Sequence, residues 1–320
     1  MNPALAERRA FLQKLLALAG ARPLLRPVGG GVLRVLAGEA GALPNPVGYA
    51  TISWPESQFS SALQTISELG FKGAQFLGWV RDAYAGPKAP ALRQRLQGLK
   101  LKPVTLSCSD VNLDPDHPED ESGKVRAYAE FFRDLGGLYL QVIDGGNPTK
   151  KYPPGTIKAL GGRITVLGKL AQDYGLLLGY HPHFGSIGET REGLGQVIEA
   201  TDPHYVKLIA DVGHMALGGS DPSEVVRTYH ERLICTHLKD VRKDVAALAR
   251  QDRDLVRRKE YQFCEIGEGT VDFAGILRAL RDVSFRGWHI VELDGNESPP
   301  GGPAESARMN LDAAKRLGLM

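Results

Sequence analysis

From Pro46 onward, short apolar or β-branched runs alternate with longer segments of helical period. The strand-like runs are GYATISW (48–54), GAQFLGW (73–79), KPVTLSC (102–108), LYLQVID (138–144), LLLGYH (176–181), VKLIAD (206–211), LICTHL (233–238) and WHIVEL (288–293). Between and after them the spacing predicts helices over 57–69, 89–99, 120–135, 153–174, 189–200, 221–231, 244–283 with a break, and 304–317. Several of these segments end in Gly, as in ELGF at 68–71 and DLGG at 134–137, where a left-handed cap closes a helix before the next strand. Repeated strand-then-helix units imply parallel strands joined by crossover helices. Eight such units fit a closed (β/α)8 barrel better than an open doubly wound sheet. The expected fold class is α/β: a single-domain (β/α)8 TIM barrel over 45–320, preceded by an N-terminal extension.

That extension, 1–44, has its own reading. Arg8-Arg9 precede Phe11-Leu12 and a short apolar stretch, and AGA at 40–42 offers small residues for cleavage. The arrangement resembles a twin-arginine export signal followed by a linker, which would send the protein to the periplasm. Arg22, Arg26 and Arg34 interrupt the apolar segment, so the alternative is an amphipathic helix and Gly-rich linker on a cytoplasmic protein.

Composition narrows the function. With 42% hydrophobic and 24% charged residues, the 320-residue chain can bury a large core. No apolar run approaches the roughly 18 residues of a membrane span. Thirty-nine basic against 37 acidic residues leave a formal charge of +2, which argues against a phosphate-backbone partner. A small near-neutral ligand is the expected partner, without nucleic acid or membrane, and a homo-oligomer is compatible with the sequence. Cys108, Cys235 and Cys264 are too few and too far apart for a disulfide framework or a CxxC metal site. No GxGxxG follows the first strand and no GxxxxGK[ST] occurs, removing the commonest nucleotide-binding motifs. The charged run RQDRDLVRRKE at 250–260 reads as a solvated helix face, with a lid or subunit contact as the alternative.

In a barrel of this kind the chemistry sits at the C-terminal strand ends. Four successive runs end there in polar residues: His181, Asp211, His237 and Glu292. Strand alternation puts His183 on the face of His181, and Lys239 on that of His237. Two imidazoles and two carboxylates converging on the axis form a mixed N/O set suited to a divalent ion, Mn, Co, Zn or Mg. For any one of these histidines a plain hydrogen-bonded role is the alternative. His117, His204 and His230 read as loop or solvent-exposed residues, and Asp240 or Asp221 as a helix cap.

YHPH at 180–183, DVGH at 211–214, HLKDVR at 237–242 and GEGTVDF at 267–273 together resemble the xylose-isomerase-like sugar phosphate isomerase/epimerase superfamily of TIM barrels. The likeness runs from about Val47 to Leu317 and is greatest to the inosose dehydratase subset. It implies metal ligation by Asp211, His237 and Glu292, with His181 standing where most of the superfamily has glutamate, as in that subset. Gln75 departs from the glutamate that relatives often carry on strand two. The resemblance further implies proton abstraction beside a carbonyl of a keto-sugar or keto-cyclitol. His183 and His214 are the candidate bases, Lys239 a further catalytic candidate, and Trp54, Gln75, Arg242 and Glu268 candidate substrate contacts. Dehydration is the leading expectation. Isomerisation or epimerisation shares its first half, and a sugar-binding protein without catalysis is a further alternative. Abasic-site endonuclease activity is disfavoured, because it needs more metal ligands and a basic groove.

Overall fold

The structure, a computed structural model, describes residues 45–113, 121–258, 262–294 and 301–320. The twin-arginine and linker reading of 1–44 and the loop reading of His117 lie outside the described residues. Eight parallel strands close into a barrel: β1 (Val47–Ala50), β2 (Gly73–Leu77), β3 (Lys102–Val111), β4 (Tyr139–Asp144), β5 (Leu177–Tyr180), β6 (Val206–Asp211), β7 (Leu233–Leu238) and β10 (Trp288–Val291), with β10 returning to pair β1. The short strands β8 (Asp240–Val241) and β9 (Phe263–Cys264) form a separate antiparallel pair inserted after β7.

The strands form because their β-branched and aliphatic residues are buried on both faces. Inside the barrel, Ala50, Val104, Ile209, Cys235 and Ile290 pack as one cluster. Glycine makes room for them. A Cβ at Gly48 would sit 2.7 Å from Ile290 Cδ1, and one at Gly179 would sit 2.5 Å from Ile209 Cγ1. Outside, helices lay apolar stripes on the sheet: Phe59, Leu63 and Ile66 of α1 (Phe59–Glu68) are buried, as are Phe273, Ile276, Leu277 and Leu280 of Phe273–Asp282. Each such side chain contributes about 1.5–3 kcal/mol on burial.

The structure departs from the sequence expectation in several places. The first run is strand only to Ala50, continuing as a 3-10 turn over Thr51–Ser53. Trp54 therefore leaves the strand and packs edge-on against Tyr49 in the core, ring centroids 5.6 Å apart. After Leu77 the chain turns directly into α2 (Gly78–Tyr84), followed by α3 (Ala89–Gly98). Further along come α4 (Glu121–Asp134), α5 (Thr156–Asp173) and α6 (Arg191–Ala200). DVGH is the second departure: Asp211 caps the short helix α7 (Val212–Leu217) by accepting the His214 amide, 2.9 Å away.

The third departure is the long segment expected as one broken helix. After α8 (Pro222–Thr228), capped by Asp221 as expected, it resolves into α9 (Lys243–Ala249), α10 (Arg253–Arg257), β9 and α11 (Phe273–Asp282). The last helix is α12 (Gly302–Arg316). Asp240 caps no helix. Its carboxylate accepts the amides of Gly267 (2.9 Å), Gly269 (3.0 Å) and Val271 (2.8 Å), clamping the GEGTV turn onto β8. Gly267, at φ +90°, supplies the left-handed backbone this turn requires. The insertion carries its own small core of Phe184, Leu217, Val241, Val245, Val256, Phe263 and Leu293, which roofs the β5–β7 side of the barrel mouth.

Candidate metal and catalytic site

Register explains why the strand-end residues meet. Asp211 pairs with His237 across β6 and β7, and Ile290 of β10 pairs with His237. Alternation then sends Glu292, two residues past Ile290, to the same interior face. His181, Asp211, His237 and Glu292 are all buried, each offering one ligating atom within 4.8 Å of the others. His181 Nε2 lies 3.1 Å from Asp211 Oδ2. His237 Nδ1 lies 3.6 Å from Asp211 Oδ2 and against Glu292 Oε2.

The donor set suits a divalent cation on the evidence of its own hydrogen bonds. Neither ring nitrogen of His237 has a hydrogen-bond partner among the described residues, although the ring is fully buried. Buried polar groups are ordinarily paired. His237 Nδ1 instead crowds the carboxylate oxygens of Asp211 and Glu292, so that ligand atoms of three residues gather round one point. Burial works against charge on His237, yet Glu292 and Asp211 hold its pKa well above the ordinary value, so the pocket favours positive charge at its centre. Burial opposes ionisation of Glu292 too, but His237 and Lys239 pull its carboxyl down to about 2. His181 is pushed down to about 4 by burial, which keeps it neutral, the form that ligates metal.

A second constellation adjoins the first. His183, His214 and Asp294 also bring one ligating atom each within 4.8 Å of the others. The His183 and His214 rings lie 3.7 Å apart between centroids, tilted by 39°, and His214 Nε2 is 3.0 Å from Asp294 Oδ2. Phe184 O lies 2.8 Å from His183 Nδ1. A carbonyl oxygen only accepts, so Nδ1 carries the proton and the lone pair of the neutral ring sits on Nε2. His214 is pushed down to about 3, by burial first and by neighbouring His183 and Lys239 next. Lys239 is fully buried between the clusters, its Nζ 2.9 Å from Asp211 Oδ2, 2.5 Å from Asp294 Oδ1 and 3.7 Å from Glu292 Oε1. Burial alone would lower its pKa, but Asp211, Asp294 and Glu292 outweigh it and raise it above the ordinary lysine value. These surroundings favour its ammonium form.

The remaining candidates separate. Gln75 is buried and donates from Nε2 to Glu292 Oε2, 3.0 Å away, with its Oε1 left without a partner. Trp54 belongs to the core. Arg242 pairs with Asp244 at 3.1 Å, outside the cluster, and Glu268 is exposed on the clamped turn while Glu265 beside it is buried. His204 and His230 are exposed, as expected. Asp294 was not anticipated, although it repeats the spacing of His181/His183 and His237/Lys239 two residues after Glu292. Glu189 was missed as well. It is 1% exposed, accepts from Gly185 N at 2.8 Å and pairs with Arg257 Nη2 at 2.6 Å. The described part of the charged run, 250–258, is thus docked by Arg257 onto the loop that carries His183, rather than forming a wholly solvated face.

With this geometry in view, comparison with known proteins is decisive for the family: the xylose isomerase-like TIM barrel profile matches residues 63–315. The chain belongs to that family. It is an enzyme of the sugar isomerase/epimerase superfamily that this family includes. It is 35% identical over 271 residues to the inosose dehydratase of Clostridium tetani (strain Massachusetts / E88), covering 78% of this chain and 89% of the relative. The inosose dehydratase of Geobacillus kaustophilus (strain HTA426) is 28% identical over 275 residues, covering 78% and 88%. Among solved structures, the probable 3-DHS dehydratase AsbF of Bacillus anthracis superposes with a TM-score of 0.69 at 15% identity, covering 85% of this chain and 98% of that one. The IolI protein with a bound zinc atom superposes with a TM-score of 0.65 at 18% identity, covering 85% and 96%. At those identities the structural likeness speaks to the fold. The strand-end cluster lies at the C-terminal ends of the strands, where barrels of this kind carry their chemistry.

Proposed function

We propose that the protein is a divalent-metal-dependent dehydratase acting on a keto-cyclitol or keto-sugar. The observation that carries this reading is the buried His181, Asp211, His237 and Glu292 cluster with the His183–His214 pair beside it; the relatives named inosose dehydratase support the reaction class. These four residues would hold the ion, with Mn, Co, Zn and Mg all compatible with the donor set. When bound, the ion supplies Lewis-acid polarisation of the substrate carbonyl and offsets charge on its oxygen.

The protein's own groups account for the proton movements. His183, half-buried at the mouth, has Nε2 free of its proton, and takes the hydrogen from the carbon beside the carbonyl. The C–H electrons form the new C=C bond as the C–O bond to the β-hydroxyl breaks. The imidazolium formed on His183 returns its proton to that hydroxyl, which departs as water. His214 stays neutral beside it and stacks on its ring. Lys239 stays protonated and balances the surrounding carboxylates. Phe263, Phe184 and Val245 pack as an apolar roof beside the site.

The test is a panel of inososes and keto-sugars with protein reloaded with Mn or Co, read by product mass. Loss of one water from an inosose supports the reading. A product of unchanged mass would move the protein to the epimerases, and an unreacted panel with metal-replete protein would overturn dehydration.

A further inference from the structure

We propose that the Lys239 ammonium is a built-in second cation that restricts this mouth to a single divalent ion. The inference rests on the metal-dependent reading above and adds the number of ions and the residue that sets it. Two adjoining groups of side chains each have the composition of a metal site: His181, Asp211, His237 and Glu292 in one, His183, His214 and Asp294 in the other. Lys239 Nζ stands between them. It reaches Asp211 (2.9 Å) and Glu292 (3.7 Å) of the first group, and Asp294 (2.5 Å) and His214 Nε2 (3.4 Å) of the second.

The position is enforced by packing. Lys239 is fully buried. Its stem runs against Gly213, where a Cβ would come within 2.3 Å of Lys239 Cγ, and its ammonium lies 5.0 Å from the Phe263 ring centroid on the roof. Any side chain larger than glycine at 213 would meet the lysine stem, so Gly213 leaves the lysine room to lie between the two groups.

Charge points the same way. The two groups hold three carboxylates, Asp211 and Glu292 buried and Asp294 half-buried, around one ammonium, a net of two negative charges. One divalent ion balances them; a second would leave buried positive charge uncompensated, which is costly in a low-dielectric site. His214 Nε2 meanwhile lies 3.0 Å from Asp294 Oδ2, beside the His183 ring. The restriction keeps the imidazole pair available for proton transfer.

The experiment uses metal-stripped full-length protein titrated with Co(II), with metal content by elemental analysis and the Co(II) visible absorption recorded at each addition. Wild type should saturate at one ion per chain. Lys239→Met should take up a second equivalent with a new absorption component, and that component should vanish in Lys239→Met/His214→Ala. Lys239→Arg, which keeps the charge, should stay at one. Lys239→Met that remains at one ion would overturn the proposal, as would wild type that binds two. Wild type that binds none would instead sink the metal-dependent reading itself. If Lys239→Met does not fold, Mn(II)-loaded wild type decides: the resolved hyperfine pattern of isolated Mn(II) supports the proposal, and an exchange-coupled spectrum overturns it.

Discussion

Gln75 on β2 donates its side-chain amide to Glu292 Oε2, 3.0 Å away across a gap of 217 residues in sequence. Glu292 follows β10, and β1 lies between the two strands. The contact leaves Glu292 one oxygen pinned and the carboxylate plane held toward His237. Groups that orient a ligand in this way commonly change metal affinity by roughly 10–100-fold when removed. Gln75→Ala should weaken metal binding by about that factor with the fold intact, measured by competition with a chelator of known affinity. Unchanged affinity would show that Glu292 needs no such support.

Asp211 has two duties that substitutions can separate. One oxygen faces His181 and Lys239, and the other caps α7 through the His214 amide. Asp211→Asn should keep the cap and lose bound metal and turnover. Asp211→Ala should lose both and about 1 kcal/mol of stability besides. His237→Ala should likewise abolish bound metal. Elemental analysis beside thermal unfolding distinguishes these outcomes, and full metal retention in either Asp211 variant would remove Asp211 from the ligand set.

His183→Gln should retain the metal and lower kcat by roughly 10²–10⁴-fold, the usual contribution of a positioned base. Deuterium at the substrate carbon should then slow the variant. A variant that loses metal along with activity would place His183 among the ligands, in the part assigned above to His181.

Arg257 neutralises Glu189, whose carboxylate is almost wholly buried beneath the loop that carries His183. Arg257→Ala leaves that charge with only the longer contact to Arg253 Nη1, 3.8 Å away. The cost should be about 3 kcal/mol, the low end for breaking a buried pair, because Arg257 itself is 21% exposed. Denaturant melts measure it, and Glu189→Gln/Arg257→Ala should recover part of the loss.

His289 supplies a pH-dependent stability away from the metal cluster. It is fully buried, within 2.7 Å of Thr236 Oγ1, and burial pushes its pKa down to about 4 from an ordinary 6.5. Between those values the unfolded chain takes up a proton that the folded protein does not. Stability therefore falls as pH falls from about 6.5 to about 4, by at most about 1.4 kcal/mol per pH unit from this residue. His289→Gln should flatten that slope in metal-free protein; an unchanged slope would assign it to other groups.

Much of the site was legible because strands impose a period of two and a barrel gathers strand ends. His181, Asp211, His237 and Glu292 are each the last polar position of an apolar run, so the eight-fold alternation alone predicts their convergence. The same period applied to Glu292 reaches Asp294. Trp54, Arg242 and Glu268 were harder to assign. A chain leaving a strand is free to turn in any direction, and whether β1 ends at Ala50 or runs on to Trp54 depends on packing against Tyr49.

The sequence by itself determined the barrel, its order of strands and the four-residue cluster, because local hydrophobic period and strand geometry carry that information. Only the tertiary structure decided that Gln75 holds Glu292, that Arg257 docks onto Glu189, that Asp240 clamps a turn instead of capping a helix, and that Lys239 stands between two groups of potential ligands. Those relationships join segments tens to hundreds of residues apart. They arise when barrel closure buries charges that must then find partners, and no local period records which partner lies within reach.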